Sequence, residues 1–207
     1  MILNSIFNID PKIKFRKASE LFVDEPVIVY VNDFDNKDVQ KFSDDFQKAH
    51  NTGQEIIPIV INSYGGSVTG LLAMVAQIKS SPLVISTIVS GAAMSAGCVL
   101  LTCGKEGYRF AAPYSTIMIH EVSCWAIGKN EEIKAISKDV ERDNKIIFAM
   151  MAKNCGHKDP NYFLKIVHSK KNADWYLKSG EALRHNIVNK IKVPSFTTSV
   201  KVETTFG

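Results

Sequence analysis

The sequence predicts an α/β domain with a largely parallel sheet. Three apolar, β-branched runs indicate buried strands, at residues 26–31, 56–61 and 84–89. Strands that are buried on both faces of a parallel sheet form continuous apolar runs rather than alternating ones. The segments between these runs have helical character, so strand and helix alternate along the chain as in βαβ units.

The helices are predicted from apolar spacing and from end signals. They span residues 36–50, 68–79, 91–101 and about 129–155, with a shorter helix after Pro160. In the first helix Val39, Phe42 and Phe46 lie on one face, and Gly156 is a suitable C-cap for the long one. Short strands are expected at residues 108–110 and 116–119, and residues 175–177 and 187–193 close the pattern.

Length and composition limit the classes of function. The 207 residues fit one domain, here placed at residues 25–193, with a weakly patterned segment at 1–24 and a Thr/Ser-rich tail at 194–207 that is expected to fray. With 25 basic and 21 acidic residues, the formal charge is +4, and the basic residues are scattered. No basic stripe with interleaved aromatic residues is found, which argues against a nucleic-acid-binding protein.

The four cysteines and the apolar runs indicate a cytoplasmic protein. None of the cysteines forms a C-x-x-C pair, so a zinc site and a disulfide framework are not expected. The N-terminus lacks the order of a secretory signal. No apolar run reaches the roughly 18 residues of a membrane span.

Two segments rich in small residues follow predicted strands and are candidates for chemistry. Gly65-Gly66-Ser67 follows the second strand, where paired glycines let backbone N–H groups approach a ligand, although most such pairs are plain turns. Ser95 lies within Gly-Ala-Ala-Met-Ser-Ala-Gly, residues 91–97. Small neighbours at a strand-to-helix turn leave room for a substrate carbonyl. A small-residue helix packed against another backbone explains that segment equally well.

His120 is the histidine that best fits a catalytic role. It ends the apolar run Ile117-Met118-Ile119, at the end of a predicted strand. A lone histidine there is more often structural, and only a partner serine changes that balance. Three other histidines lie in polar stretches near helix ends and are expected to be solvated: His50, His157 and His185.

Taken together, these segments resemble the ClpP family of caseinolytic serine peptidases over residues 56–191. Residues 62–68 (Asn-Ser-Tyr-Gly-Gly-Ser-Val) resemble the family's strand-turn segment, with Tyr64 where a proline is usual. Residues 91–97 resemble its nucleophile segment, and residues 118–120 resemble its Met-Ile-His segment. Three motifs in order are far more specific than any one of them.

The spacing of these segments also fits the family. Gly66 precedes Ser95 by 29 residues, and Ser95 precedes His120 by 25. The resemblance implies a serine endopeptidase in which Ser95 is the nucleophile and His120 the general base. The N–H groups of Gly66 and Ala96 are the implied oxyanion hole, and neither a metal nor an organic cofactor is implied.

The family's third catalytic residue, an aspartate, has no direct counterpart. When the stretch that begins at Asp174 is aligned with the family, the catalytic position falls on Lys170. Three arrangements remain open: Asp174 reaches His120, Asn172 or a backbone carbonyl orients the imidazole in a dyad, or the site is weak or inactive. We take Asp174 as the third site residue, beside Ser95 and His120.

The resemblance also implies an architecture and partners. It implies the ClpP/crotonase-like spiral of parallel strands and helices, with a protruding handle helix at about residues 124–156. Interdigitating handles would join two heptameric rings into a homo-oligomeric tetradecamer, in which an ATP-independent peptidase core hydrolyses unfolded polypeptides. The family's N-terminal segment is not found in residues 1–24, so docking of an AAA+ unfoldase stays open. This divergence suits a phage-encoded or otherwise specialised member.

Other functions remain open at this point. A ring subunit without catalytic activity would keep the fold; Lys170 favours it, whereas the presence of both Ser95 and His120 argues against it. A crotonase-type acyl-CoA enzyme shares the fold and the oxyanion hole but has no need of a Ser/His pair at this spacing. A Ser/Lys peptidase of the signal-peptide-peptidase type would leave His120 without a role.

Overall fold

Strands and helices alternate along the chain and build a seven-stranded, mostly parallel sheet in the described residues. The computed structural model describes residues 25–124, 126–171 and 173–196; the expectations for residues 1–24 and for the tail after residue 196 lie outside these ranges. The elements are β1 (Val29–Val31), α1 (Asn36–Asn51), β2 (Ile56–Ser63), α2 (Val68–Ser80), β3 (Val84–Met94), α3 (Ala96–Thr102), β4 (Arg109–Ala111), β5 (Thr116–Ile119), α4 (Asn130–Asn154), α5 (Tyr162–Ser169), β6 (Trp175–Lys178), α6 (Ser179–Arg184) and β7 (Lys190–Ile191). The predicted α/β class is confirmed.

The sheet has a parallel part and a small antiparallel extension. Strands β1, β2, β3, β4 and β7 lie side by side in that order and are parallel. Strand β5 pairs in parallel with the end of β3, and β6 pairs antiparallel with β5. Most residues of β2 and β3 are buried, in agreement with their continuous apolar runs.

Strand β3 continues to Met94, although the sequence predicts a helix over residues 91–101. Residues 92–94 pair with β5, so sheet pairing overrides the helix propensity of the two alanines. The register between β2 and β3 shifts near Ser90, where β3 contains extra residues and bends. The Asn62 side chain accepts a hydrogen bond from the Ala92 N–H at 3.0 Å and so satisfies the backbone at this bulge. Helix α3 begins only at Ala96, just after Ser95.

Helices α1 and α2 pack against each other and begin at the predicted places. Asp35 caps α1 and Ser67 caps α2, each by accepting a backbone N–H of the first turn. The predicted apolar face of α1 is buried through Phe42 and Phe46. Strand β1 is shorter than predicted, because the N–H of Val27 is bound by a glutamine side chain rather than by a neighbouring strand.

Helix α4 is the longest element, and its two halves have different surroundings. Its C-terminal half buries Ile147, Phe148 and Met151 in the core. Its N-terminal half is exposed or partly exposed throughout, with Ile133 exposed and Ile136 half-buried. This exposed half lies within the stretch predicted to form the handle helix. No helix of the described residues is both long and apolar enough to cross a bilayer.

Arg109 fastens the C-terminal end of α4 to the sheet. Its side chain is only 1% exposed, and arginine is rarely buried without partners. The guanidinium donates hydrogen bonds to the carbonyls of Asn154 and Asn186, each at 2.9 Å, and pairs with Glu106 at 2.7 Å. Because Asn154 is the last residue of α4, this contact satisfies a carbonyl that the helix itself leaves free.

Two glycine substitutions test the packing of α2. A Cβ at Gly70 would lie 2.0 Å from the backbone oxygen of Phe34, so the helix would have to shift. We expect Gly70→Ala to lower the free energy of unfolding by about 1–3 kcal/mol, as overpacking does. Gly180 is the matched control, because it is helical and a Cβ there meets nothing within 4 Å. Urea denaturation followed by circular dichroism measures both, and equal effects would contradict the close contact at Gly70.

Candidate active site

Ser95 occupies the tight turn between β3 and α3. Its backbone has φ 53° and ψ −120°, a conformation that residues other than glycine rarely adopt. Such strain costs about 1–3 kcal/mol and persists only where the surroundings hold it. The Ser95 N–H donates to the Met118 carbonyl at 2.9 Å, and the Ser95 carbonyl accepts hydrogen bonds from the N–H groups of Cys98 and Val99. Contacts on both sides therefore fix the turn.

The hydroxyl of Ser95 is left uncommitted. Ser95 is the N-cap residue of α3, a position where serine usually accepts a backbone N–H of the first helical turn. No such side-chain bond is formed here. A strained strand-to-helix turn that presents a free hydroxyl is the geometry of an exposed nucleophile.

Gly65 brings a second segment of backbone against Ser95. Its φ is 108°, and a Cβ at this position would lie 2.7 Å from the Ser95 Cβ and 3.1 Å from the Met94 carbonyl oxygen. Only glycine therefore permits the approach. The paired glycines predicted from the sequence are more than a plain turn, because they form one wall of the serine's surroundings.

Two backbone amides near Ser95 are available to a ligand. Gly66 and Ala96 line the same pocket as Ser95. Within the described part of the chain, neither N–H donates to a protein acceptor. For Ala96 this follows from its place at the start of α3, where the first N–H groups have no acceptor inside the helix. Both amides are thus free to bind an oxygen atom, as an oxyanion hole requires.

Strand register places Asp174 opposite His120. Strands β5 and β6 pair antiparallel, and the last pair of the ladder joins Ile119 to Trp175. The next residues along the two chains are His120 and Asp174, with Nδ1 and Oδ1 3.8 Å apart. Opposite residues of antiparallel strands have Cβ atoms about 4.5–5.5 Å apart, so this proximity follows from the pairing. The distance is that of an ion pair and is longer than a hydrogen bond.

His120 lies between this carboxylate and the pocket of Ser95. Its side chain is 21% exposed, whereas that of Asp174 is 50% exposed. Because Nδ1 is the ring nitrogen that lies near Asp174, Nε2 is left for another partner. No hydrogen bond joins the Ser95 hydroxyl to the imidazole among the residues described, although both line one pocket. Catalytic hydrogen bonds of this kind are often formed only with substrate present.

Lys170 stands where the resemblance implies an aspartate. It is the C-cap residue of α5, and its Nζ lies 5.4 Å from the ring centroid of Trp175. The ammonium group thus packs on an aromatic face. Asn172, the other residue considered for orienting the imidazole, lies outside the described residues. Of the predicted alternatives, Asp174 is the one that the structure places beside His120.

The pocket beside Ser95 is small, with a volume of about 70 Å³, and both polar and apolar groups line it. Its apolar walls come from α2, α3 and the buried half of α4: Val68, Leu71, Val99, Ile147, Phe148 and Met151. Such walls suit an apolar side chain rather than a charged one.

Asn144 is a residue of this pocket that the sequence analysis did not identify. It is buried, and its Oδ1 accepts a hydrogen bond from the Val122 N–H at 2.8 Å. This bond ties α4 to the segment that follows β5. Asn144 lies on the same face of α4 as Ile147, Phe148 and Met151. A polar residue on an otherwise apolar helix face was the sequence signal that could have identified it.

Two histidines predicted to be solvated are packed among aromatic rings instead. His157 stacks on Tyr162 with ring centroids 3.6 Å apart, and His185 meets Trp175 edge-on at 5.0 Å. A hydrogen bond of 2.9 Å joins Nδ1 of His185 to the Tyr162 hydroxyl. Burial lowers the pKa of His185. These contacts come from α5 and β6, which a local view of the sequence does not bring together.

Cys98 lines the same pocket but is not a second nucleophile. Burial raises the pKa of its thiol well above the usual range, so the reactive thiolate does not form near neutral pH. In the described ranges, no group of three or more His, Cys, Asp or Glu side chains is arranged to hold a metal ion. The groups that face a ligand here include a hydroxyl, an imidazole and two backbone amides.

Comparison with protein families agrees with the fold and with the arrangement of the pocket. The family model described as Clp protease matches residues 13–194, which is most of the chain. The matched part includes every element of the sheet and the residues around Ser95. The mostly parallel α/β architecture is consistent with the fold of that family. The chain therefore belongs to the Clp protease family, whose members are peptidases that generally form oligomeric rings.

Proposed function

We propose that the chain is a serine endopeptidase that hydrolyses peptide bonds of unfolded polypeptides. The proposal gives Ser95 the role of nucleophile, His120 that of general base and Asp174 that of the orienting acid. The observation that carries it is that one pocket brings together the strained turn of Ser95, the imidazole of His120 and two backbone amides. Within the described residues, the hydroxyl and both amides have no hydrogen-bond partner.

The acylation step uses these groups in turn. The Ser95 hydroxyl attacks the scissile carbonyl carbon while Nε2 of His120 takes its proton. The carbonyl oxygen becomes negative and binds the amides of Gly66 and Ala96, each worth about 3 kcal/mol in the transition state. The imidazolium then gives the proton to the leaving amine as the carbon–nitrogen bond breaks, which leaves an acyl group on Ser95.

Deacylation repeats these steps with water as the nucleophile. His120 takes a proton from water, the hydroxide attacks the acyl carbon, and the proton returns to the Ser95 oxygen as the acid product leaves. Asp174 favours the tautomer with hydrogen on Nδ1 and stabilises the imidazolium that forms twice in each cycle. Its half-exposed position makes this stabilisation weaker than that of a buried carboxylate.

A second copy of this chain is the proposed partner of the exposed half of α4. Ile133 is 41% exposed there, and family membership supports rings that pair through such helices. We propose two heptameric rings joined as a tetradecamer that encloses the active sites. Docking of an AAA+ unfoldase stays open, because residues 1–24 do not resemble the family's N-terminal segment and lie outside the described residues. A cytoplasmic location is supported by the four free cysteines.

A catalytically weak or inactive ring subunit is the second candidate, because Lys170 replaces the expected acid. The position of Asp174 beside His120 weakens that argument, since a carboxylate is supplied from another residue. The acyl-CoA alternative gains no support from the match to a peptidase family.

The first prediction concerns the nucleophile. Ser95→Ala should lower kcat for a small fluorogenic peptide by about 10⁶-fold, because the covalent route is lost. Labelling by a fluorophosphonate should be lost as well. Ser80→Ala is the matched control, since Ser80 is exposed on α2 outside this pocket and should retain both hydrolysis and labelling. Undiminished turnover by Ser95→Ala would refute the assignment.

The second prediction concerns the acid. Asp174→Asn should lower kcat by about 10²-fold, less than the ~10⁴-fold loss at a buried triad aspartate, because Asp174 is half exposed. Lys170→Asp should not raise activity, since the lysine packs over Trp175. Steady-state kinetics on both variants decide the matter. An unchanged Asp174→Asn together with a more active Lys170→Asp would place the acid at position 170.

The third prediction concerns assembly. Sedimentation of the wild type should show a species many times larger than 23.0 kDa. Ile136→Glu puts a charge on the apolar side of α4 and should shift large assemblies toward single rings. Ser137→Glu adds the same charge at the exposed neighbouring position and should leave assembly unchanged. A wild type that stays monomeric at high concentration would contradict the proposed partner.

A further inference from the structure

Few contacts hold the Asp174 carboxylate in place. Half of its side chain is exposed, and its contact with His120 is longer than a hydrogen bond. No other described residue donates a hydrogen bond to it. Its direction therefore depends on the backbone that carries it, at the start of β6.

That backbone is held on one side by the pairing with β5. The ladder ends at Ile119 and Trp175, which both point into the core, so Asp174 and His120 point to the opposite face. A slip of one residue would exchange the two faces and turn Asp174 away from His120. The burial of the Trp175 indole therefore sets the direction of the carboxylate that precedes it.

Three side chains hold the indole in one orientation. Its Nε1–H donates to Oε1 of Glu181 at 3.0 Å, and Nζ of Lys170 lies 5.4 Å from its ring centroid. The ring of His185 meets it nearly perpendicularly, at 89° and 5.0 Å. Trp175 is 3% exposed, so a lost partner leaves its buried N–H unsatisfied.

His185, the third contact of the indole, is itself held by two hydrogen bonds. The Tyr162 hydroxyl is hydrogen-bonded to Nδ1 of His185, and Nε2 of His157 donates to the His185 carbonyl at 3.0 Å. His185, the C-cap residue of α6, is therefore held both at its ring and at its backbone. Glu181, on the same helix, makes the hydrogen bond that links the indole to α6.

We propose that Glu181 is a positioning residue for the Asp174–His120 pair and acts through the Trp175 indole, with Lys170 as a weaker support on the ring face. The inference rests on the proposed serine mechanism. It also gives a role to Lys170, which stands where the family has an aspartate. The Lys170 ammonium group packs on the Trp175 ring and so helps to hold Asp174, the preceding residue, in place.

The test is a double-mutant cycle on the full-length chain. Glu181→Ala should lower kcat for the fluorogenic peptide roughly tenfold with KM nearly unchanged, because small misplacements of catalytic groups are costly. In the Asp174→Asn background the same substitution should change kcat less than about twofold, since it acts through Asp174. Glu181→Gln keeps an acceptor for the indole and should restore most of the activity.

Controls separate positioning from general damage. Arg184→Ala removes an exposed charge from the same helix and should leave kcat unchanged. If Glu181→Ala does not fold, the same double-mutant cycle can be made with Lys170→Met, at an exposed position. This substitution should lower kcat about twofold to threefold in the wild type and leave kcat unchanged in the Asp174→Asn background.

Two results would overturn the inference. An equal loss of kcat in the wild-type and Asp174→Asn backgrounds would mean that Glu181 only stabilises the fold. An unchanged kcat in Glu181→Ala and in Lys170→Met would mean that the indole does not position Asp174. Failure of the serine mechanism would be seen separately, as full activity in Ser95→Ala.

Discussion

The rest of the molecule depends on the way strand β3 pairs with different neighbours along its length. Its first part lies between β2 and β4, and its last residues pair with β5 after the bulge near Ser90. Ser95 follows directly, and its N–H donates to the Met118 carbonyl of β5. The turn that carries Ser95 and the strand that ends at His120 are thus fixed by one ladder. Because β5 also carries β6, the same ladder reaches Asp174.

Features of the site that are local in sequence could be predicted. The apolar runs identified the parallel strands, and the small-residue segments identified Ser95 and Gly66 before any contact was known. His120 was recognisable because it ends a buried strand at a fixed spacing from Ser95. Asp174 could be named only as one of several options, since its approach to His120 depends on an antiparallel register that spacing along one chain does not determine.

The errors of the sequence analysis have a common physical origin. The run Ala92–Met94 has helix-forming residues, but β5 offers backbone partners on that edge and the strand continues. His185 has polar neighbours in sequence, but Trp175 and Tyr162 reach it from other elements. In each case contacts between elements distant in sequence outweighed the local preference.

The half-exposed carboxylate of Asp174 also makes the site responsive to the solution around it. Mobile ions screen charges over a distance of about 8–10 Å at physiological ionic strength, and an exposed pair is screened far more than a buried one. Under the proposed mechanism, dissolved ions would therefore share in setting how strongly Asp174 stabilises a protonated His120. Electrolyte concentration would then act on turnover itself and not only on the proposed association of subunits.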